Sequence, residues 1–167
     1  GVPLAQRLAG SQIWSNIHQY GRMVNDANQL IQAATHFEAE ESQRQQLVRL
    51  LSAWDLGLGD VLVREMEAGQ PDGKMSTFWL RFGLHRAAGG VSFELPFTQE
   101  SSGTQGALVL LSRLLPALAT GGLAVIDEFE NDLHPHMLEP ILDLFASPTT
   151  NPQGAQLLFT CHAMEVL

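Results

Sequence analysis

The chain has 167 residues, of which 45% are hydrophobic and 16% are charged, and its net charge is −9 with a single lysine. This composition is typical of a folded globular protein and excludes a disordered one. The acidic balance argues against a nucleic-acid-binding surface on this chain, because neutralising phosphates takes clustered Lys and Arg. No apolar run reaches the length of about 18 residues that a membrane span needs. Cys161 is the only cysteine, so no internal disulfide forms, and we expect a cytoplasmic protein.

The N-terminal third is predicted to be helical. Apolar residues recur at helical spacing within residues 4–52, for example at Leu47, Leu50 and Leu51. We therefore expect residues 1–55 to form a helical lobe or lid segment.

Residues 56–97 are predicted to form a β-rich connecting region. Strong turn signals stand at residues 69–73 and at Gly89-Gly90, and apolar residues alternate on either side of them. The strands that these turns separate are Val61–Met66, Thr77–Leu84 and Val91–Leu95. We expect the three strands to form a small antiparallel meander.

Residues 98–167 are predicted to form an α/β unit, in which helices alternate with short buried strands. Gly121-Gly122 follows a long apolar helix and is expected to end it. The predicted elements are a helix over Thr104–Ala119, a strand over Leu123–Ile126, a helix over His134–Phe145, a buried strand over Ala155–Thr160 and a further helix from near Ala163.

Two acids, Asp127 and Glu128, follow the strand Leu123–Ile126 where it leaves the predicted sheet. Ligands bind at this carboxyl edge in open α/β sheets. An acid there suits Mg²⁺, which prefers oxygen ligands, and a second acid beside it can orient and deprotonate an attacking water. The pattern resembles a Walker B motif. A strand end whose acids only face solvent is the alternative interpretation.

Two further segments are consistent with a phosphate site. The segment Glu100–Gln105 begins a helix, and its free N–H groups and hydroxyls can bind an anion, although an ordinary Ser/Thr cap would use the same residues. His162 follows the strand that ends at Thr160, where a core or capping histidine is the common alternative.

The order and spacing of these segments resemble those of the ABC-type AAA ATPases of the prokaryotic "ATP-binding protein" group, which are related to the OLD and SMC ATPases. The resemblance is strong from Leu50 to Leu167 and weak before that. It implies an α/β fold: the C-terminal part of a P-loop NTPase of ABC-ATPase type, with an N-terminal helical segment and a small antiparallel β meander. The group's motifs read ESxGT[QK], an Asp-Glu pair followed by LHP, and NPxxAQLxFTTH, and they correspond to Glu100–Gln105, Asp127-Glu128 with Leu133-His134-Pro135, and Asn151–His162.

The resemblance assigns roles to these residues. Asp127 matches the Mg²⁺-associated acid, Glu128 the catalytic base, and His162 the switch histidine that senses the γ-phosphate of ATP. The helix start matches the signature motif, which in the family contacts ATP held by the opposite subunit of a head-to-tail homodimer. The signature residues are Ser102, Gly103 and Gln105.

The loop after the acidic pair matches the family less well. Leu133-His134 stands where transporters of this class usually have the aspartate of their D-loop. This departure leaves the role of His134 open.

A near match to a phosphate-binding loop occurs at residues 68–75, and we reject it. Met75 lacks the hydroxyl that Ser or Thr supplies to Mg²⁺, the run Pro71–Gly73 favours a β-turn, and a strand rather than a helix is predicted to follow. No other Walker A motif occurs in the chain. We therefore expect the C-terminal half of a nucleotide-binding domain, cut from a longer protein at Gly1 and at Leu167 and inactive alone.

Three functions are open at this point. The resemblance implies ATP hydrolysis with Mg²⁺ in a phage-defence or DNA- or RNA-associated system, with a nuclease or toxin effector as a possible partner. The alternative is a non-hydrolytic nucleotide-sensing or protein-interaction module with the ATPase fold, against which the intact acids argue. The third is a metal-dependent hydrolase, against which the order of the motifs argues. Its residues would be Asp127, Glu128, His134 and His162.

Overall fold

The structure is a computed structural model, and it describes residues 12–23, 26–54, 58–69, 73–86, 90–131, 133 and 135–162. The strands are β1 (Ile13–Ser15), β2 (Ile17–His18), β3 (Gly21–Arg22), β4 (Leu58–Gly69), β5 (Met75–Arg86), β6 (Ser92–Pro96), β7 (Leu123–Ile126) and β8 (Gln156–Phe159). The helices are α1 (Ala27–Ala39), α2 (Glu41–Ala53), α3 (Ser102–Thr120) and α4 (Leu138–Ala146), with short 3-10 turns at Phe97–Gln99 and Pro135–Met137.

The central sheet is parallel and has the strand order β1-β7-β8. Leu123 of β7 lies opposite Ile13 of β1 on one side and opposite Gln156 of β8 on the other. The predicted strand over Leu123–Ile126 is confirmed at both ends, and so is the predicted strand–helix–strand order of β7, α4 and β8.

The prediction of helix over residues 4–52 is wrong for residues 12–23, which form β1 and the small β2–β3 hairpin. The reason is tertiary, because β1 exists by pairing with β7, more than a hundred residues further along the chain. Helix is confirmed for α1 and α2. The grouping of residues 1–55 into a lobe stays a prediction, and residues 1–11 lie outside the described residues.

The strand predicted over Ala155–Thr160 is present, but it is only partly buried. β8 lies at an edge of the described sheet, and Leu158 exposes 61% of its surface. A run of apolar residues indicates a strand of a parallel sheet, but it does not say which strand of the sheet is at the edge.

Helix α3 lies at the centre of the hydrophobic core. Ala107, Leu108, Leu111 and Leu114 on this helix are fully buried, and they belong to one cluster with α1, α2, β7 and α4. Burying a leucine side chain contributes about 1.5–3 kcal/mol. The helix ends at Gly121, as predicted, in the left-handed conformation that glycine adopts without strain.

The predicted antiparallel meander is confirmed as the sheet β4-β5-β6. β4 and β5 pair from Leu58 opposite His85 to Gly69 opposite Met75, with an irregularity between Leu58 and Asp60. The residues after Lys74 therefore form a strand, which supports the rejection of a phosphate-binding loop at residues 68–75. Within the described ranges, no helix is both long and apolar enough to cross a bilayer.

Candidate functional site

The parallel strands bring three polar segments to one edge of the central sheet. β1 is followed by Asn16, β7 by Asp127 and Glu128, and β8 by Thr160 and the residues up to 162. Parallel strands end on the same side, and this carboxyl edge is where ligands bind in α/β sheets. The edge therefore defines the candidate site.

The Asn16 side chain forms two hydrogen bonds with the backbone of Asp127. Its Nδ2 donates to the carbonyl oxygen of Asp127 at 2.9 Å, and its Oδ1 accepts from the Asp127 N–H at 2.8 Å. The Asn16 side chain is buried, and it continues the ladder that ends with the Ser15–Val125 pair. The acidic residue is thus fixed at the end of its strand by an amide from the neighbouring strand.

Thr160 connects the two acids from the other side. Its hydroxyl donates to Oδ1 of Asp127 at 2.6 Å and accepts from the Glu128 N–H at 2.8 Å. Its backbone carbonyl also accepts from the N–H of Phe129 at 2.9 Å. β8 therefore orients the Asp127 carboxylate as well as the chain that carries Glu128.

The Glu128 carboxylate receives two donors. Arg22 Nε lies 3.1 Å from Oε2, and Asn131 Nδ2 donates to the same oxygen at 2.6 Å. The backbone of Glu128 has φ 51°, a left-handed conformation that is uncommon for a residue other than glycine. Such conformations cluster at functional sites, where the surrounding contacts maintain them.

Glu130 ties the loop after β7 to the end of β8. Its Oε1 accepts from the backbone N–H of His162 at 2.8 Å. Burial raises the pKa of Glu130, but hydrogen bonds from its own N–H, from the N–H of His162 and from the Cys161 thiol lower it, as does the charge of His162. The net result is a pKa below the ordinary value for glutamate. The backbone of His162 is thus held at the site, and its side chain is exposed.

The donors at this edge fit a divalent cation of the Mg²⁺ type. Asp127 and Glu128 supply hard carboxylate oxygens, whereas the described residues contain no group of three His, Cys, Asp or Glu side chains placed to hold a metal. Mg²⁺ is commonly held by one or two carboxylates together with water and substrate phosphates, rather than by an all-protein cage. His134, the fourth residue of the metal-dependent hydrolase hypothesis, lies outside the described residues, so that alternative stays a hypothesis.

The predicted signature segment, Glu100–Gln105, lies at the start of α3. The N-cap residue of this helix is Ser101. Ser101 Oγ accepts from the Thr104 N–H at 3.1 Å, which is the N-cap bond of this helix. The ordinary Ser/Thr cap that is the alternative for this segment is present, at Ser101, whereas Ser102 is the first helical residue and is exposed. The side chain of Gln105 donates to the backbone oxygen of Glu100 at 3.0 Å.

Glu100, the residue before the N-cap Ser101, connects the start of α3 to the β4-β5-β6 sheet. Glu100 is buried, and its Oε1 contacts Nε2 of His85 at 2.7 Å. Gly83 leaves the space for this carboxylate, because a Cβ built at Gly83 would lie 2.3 Å from Glu100 Oε1. The ring of His85 also stacks on Phe93, with centroids 5.1 Å apart.

The structure thus joins some of the predicted residues by hydrogen bonds. Asp127, Glu128 and the backbone of His162 share one hydrogen-bonded edge. The residues predicted to form the signature are Ser102, Gly103 and Gln105. Their described hydrogen bonds are local to the start of α3, and none of them reaches Asp127 or Glu128.

The sequence alone does not identify Asn16, Arg22 and Thr160 as residues of the site, nor Glu130 and Asn131 in the loop after β7. Asn16 and Arg22 fall in the part of the chain that was predicted to be helical, where no strand end was expected. Thr160 was recognised as the end of a strand, and its position directly before Cys161-His162 was the available signal for a role at the same edge.

A parallel α/β sheet with an acidic pair at its carboxyl edge fits a P-loop NTPase-like domain. The chain belongs to the AAA-domain family described as "AAA domain, putative AbiEii toxin, Type IV TA system", whose model matches residues 3–167. Membership of this family of AAA domains indicates a nucleotide-binding ATPase, a class that uses ATP and Mg²⁺. No curated protein matches the chain.

Proposed function

We propose that this chain contributes the Walker B, switch and signature elements to an ABC-class ATPase that works as a head-to-tail dimer. The observation that carries the proposal is the hydrogen-bonded edge at which Thr160 joins Asp127 to Glu128. Acids that merely faced solvent would need no such support from two neighbouring strands. The relation to OLD and SMC ATPases is part of the same proposal.

In this function Asp127 and Glu128 have different roles. Asp127 would hold Mg²⁺, directly or through water, and a cation held there would supply charge neutralisation at the phosphates. Glu128 orients the attacking water and accepts its proton as general base. His162, whose backbone N–H donates to Glu130 beyond the end of β8, is the residue that we propose to contact the γ-phosphate.

The signature residues act in the partner subunit's site. The start of α3 presents backbone N–H groups and the positive end of a helix 19 residues long, which together favour a phosphate. The resemblance to the ABC-type ATPases assigns Ser102, Gly103 and Gln105 to ATP held by the opposite subunit, and their described hydrogen bonds leave them available for it. A two-fold dimer completes both ATP sites, since each subunit supplies its signature residues to the site of the other.

The family's description bears on the biological role of the proposed ATPase. That description names a putative toxin of a toxin–antitoxin system. We propose that ATP turnover serves a phage-defence or DNA- or RNA-associated system of this kind, with a nuclease or toxin effector as partner. Because the chain carries no Walker A sequence, the phosphate-binding loop has to come from elsewhere, and the 167 residues alone should not hydrolyse ATP.

Glu128→Gln tests the assignment of the general base. In a protein that contains this chain together with a phosphate-binding loop, the substitution should slow hydrolysis about 10²-fold or more, while ATP binding survives. Turnover is measured by phosphate release, and binding by calorimetry. Unchanged turnover would remove Glu128 from the mechanism, and Mg²⁺-dependent turnover by the isolated chain would contradict the need for an external loop.

Ser102→Arg tests the action in trans. Ser102 is exposed and is not the cap, so arginine should leave folding and ATP binding intact while it blocks ATP-dependent dimerisation and turnover. Ser101→Ala is the matched control, since it removes the cap at a cost of about 1 kcal/mol but adds no bulk. Dimerisation is measured by light scattering with ATP bound to a hydrolysis-deficient protein. The same ATP-dependent dimer in wild type and Ser102→Arg would refute the signature assignment.

A further inference from the structure

The β2–β3 hairpin brings an arginine to the carboxylate that the proposed function assigns as the general base. Arg22 ends β3, and its Nε lies 3.1 Å from Glu128 Oε2. About a fifth of the Arg22 side chain is exposed, compared with 38% for Glu128. The pair is therefore accessible to a ligand from the side of Glu128.

The hairpin is anchored by the same residue that holds Asp127. The backbone oxygen of Asn16 accepts from the Met23 N–H at 2.7 Å, directly after Arg22, while the Asn16 side chain binds the backbone of Asp127. Ile17 and Arg22 are paired across the hairpin. The position of Arg22 relative to the acidic pair is therefore set by the fold rather than by the arginine side chain alone.

The two donors to Glu128 both bind one oxygen. Arg22 Nε and Asn131 Nδ2 lie at Oε2, and no hydrogen bond to Oε1 is described. A carboxylate held through one oxygen keeps the lone pairs of the other oxygen for a new partner. A general base requires both features, namely a fixed orientation and an oxygen that can accept a proton.

We propose that Arg22 is a positioning residue for Glu128: it fixes the carboxylate through Oε2, so that Oε1 faces the attacking water. Arg22 acts through Glu128 and does not itself bind the nucleotide. Asn131 supports the same orientation, because its Nδ2 donates to the same oxygen. This inference rests on the proposed function, because it assumes that Glu128 is the general base.

The test compares Arg22→Gln with wild type in a protein that contains this chain and hydrolyses ATP. We expect kcat to fall on the order of tenfold or more, because a small misplacement of a catalytic group is costly, with KM and ATP affinity unchanged. Arg22→Lys, which keeps the charge, should recover part of the lost rate. Arg64→Gln is the matched control, because it removes another Arg–Glu ion pair, with Glu94, on the meander.

The double variant Arg22→Gln/Glu128→Gln separates the possible outcomes. If Arg22 acts only through Glu128, the double variant should be no slower than Glu128→Gln alone. Further slowing, or weaker ATP binding by Arg22→Gln, would overturn the inference, because Arg22 would then have a contact of its own with the nucleotide. Arg22→Gln should unfold at the same temperature as wild type. A loss of rate that equals the loss of folded protein would also overturn the inference.

The outcome of Glu128→Gln separates this inference from the proposed function. If that substitution leaves turnover unchanged, the proposed function fails. If it abolishes turnover while Arg22→Gln hydrolyses ATP at the wild-type rate, only the role of Arg22 fails.

Discussion

Replacing Asn16 by alanine should weaken the fold measurably, because this buried amide holds two backbone groups of Asp127. An intramolecular hydrogen bond contributes about 0.5–1.5 kcal/mol net, and an unsatisfied buried partner adds to the loss. For two bonds we expect a decrease in the free energy of unfolding of about 2 kcal/mol, on the same basis.

Urea unfolding, followed by circular dichroism, measures the effect. With a slope of about 2 kcal/mol per molar urea, the midpoint of Asn16→Ala should fall by about 1 M. Asn16→Asp should be no more stable than Asn16→Ala, because its second oxygen would face the Asp127 carbonyl, where Nδ2 donates in the wild type.

The control is Gln45→Ala, which removes an exposed amide bonded to Glu41 on the surface of α2. Its free energy of unfolding should stay within about 0.5 kcal/mol of wild type. An equally small change for Asn16→Ala would refute the claim that Asn16 holds Asp127 in place. So would an Asn16→Asp variant that is more stable than Asn16→Ala.

Two further substitutions test contacts around the site. Gly83→Ala should lower the free energy of unfolding by about 1–3 kcal/mol, because its Cβ would overlap the Glu100 carboxylate. Gly59→Ala is the control for size, since its Cβ would meet no atom closer than 3.4 Å, and equal losses for both variants would contradict the overlap. Glu130 has a pKa below its ordinary value, so its contribution to stability is present above about pH 4.3, the unfolded value, and is lost as the pH falls through the folded pKa. Glu130→Gln should therefore flatten the loss of stability on acidification in urea titrations, and identical acid profiles would exclude this contribution.

Local sequence determined the elements whose cause is local. The strand over Leu123–Ile126 is a continuous apolar run. Gly121-Gly122 precede it and two acids follow it, so both of its boundaries could be predicted. The meander was predictable for the same reason, because turn residues stand between alternating apolar segments. The acidic pair could be recognised as a candidate site because it follows a strand of the parallel type.

Only the tertiary structure decided which other residues meet that pair. Ile13–Ser15 is too short to show a period, and it becomes a strand because β7 offers it a partner. Asn16 gains its role from the register of that pairing, and Arg22 from the hairpin that follows. No pattern in the sequence links these residues to Asp127 and Glu128, since more than a hundred residues separate them along the chain. Contacts of this kind are made by packing, which a period in the sequence does not encode.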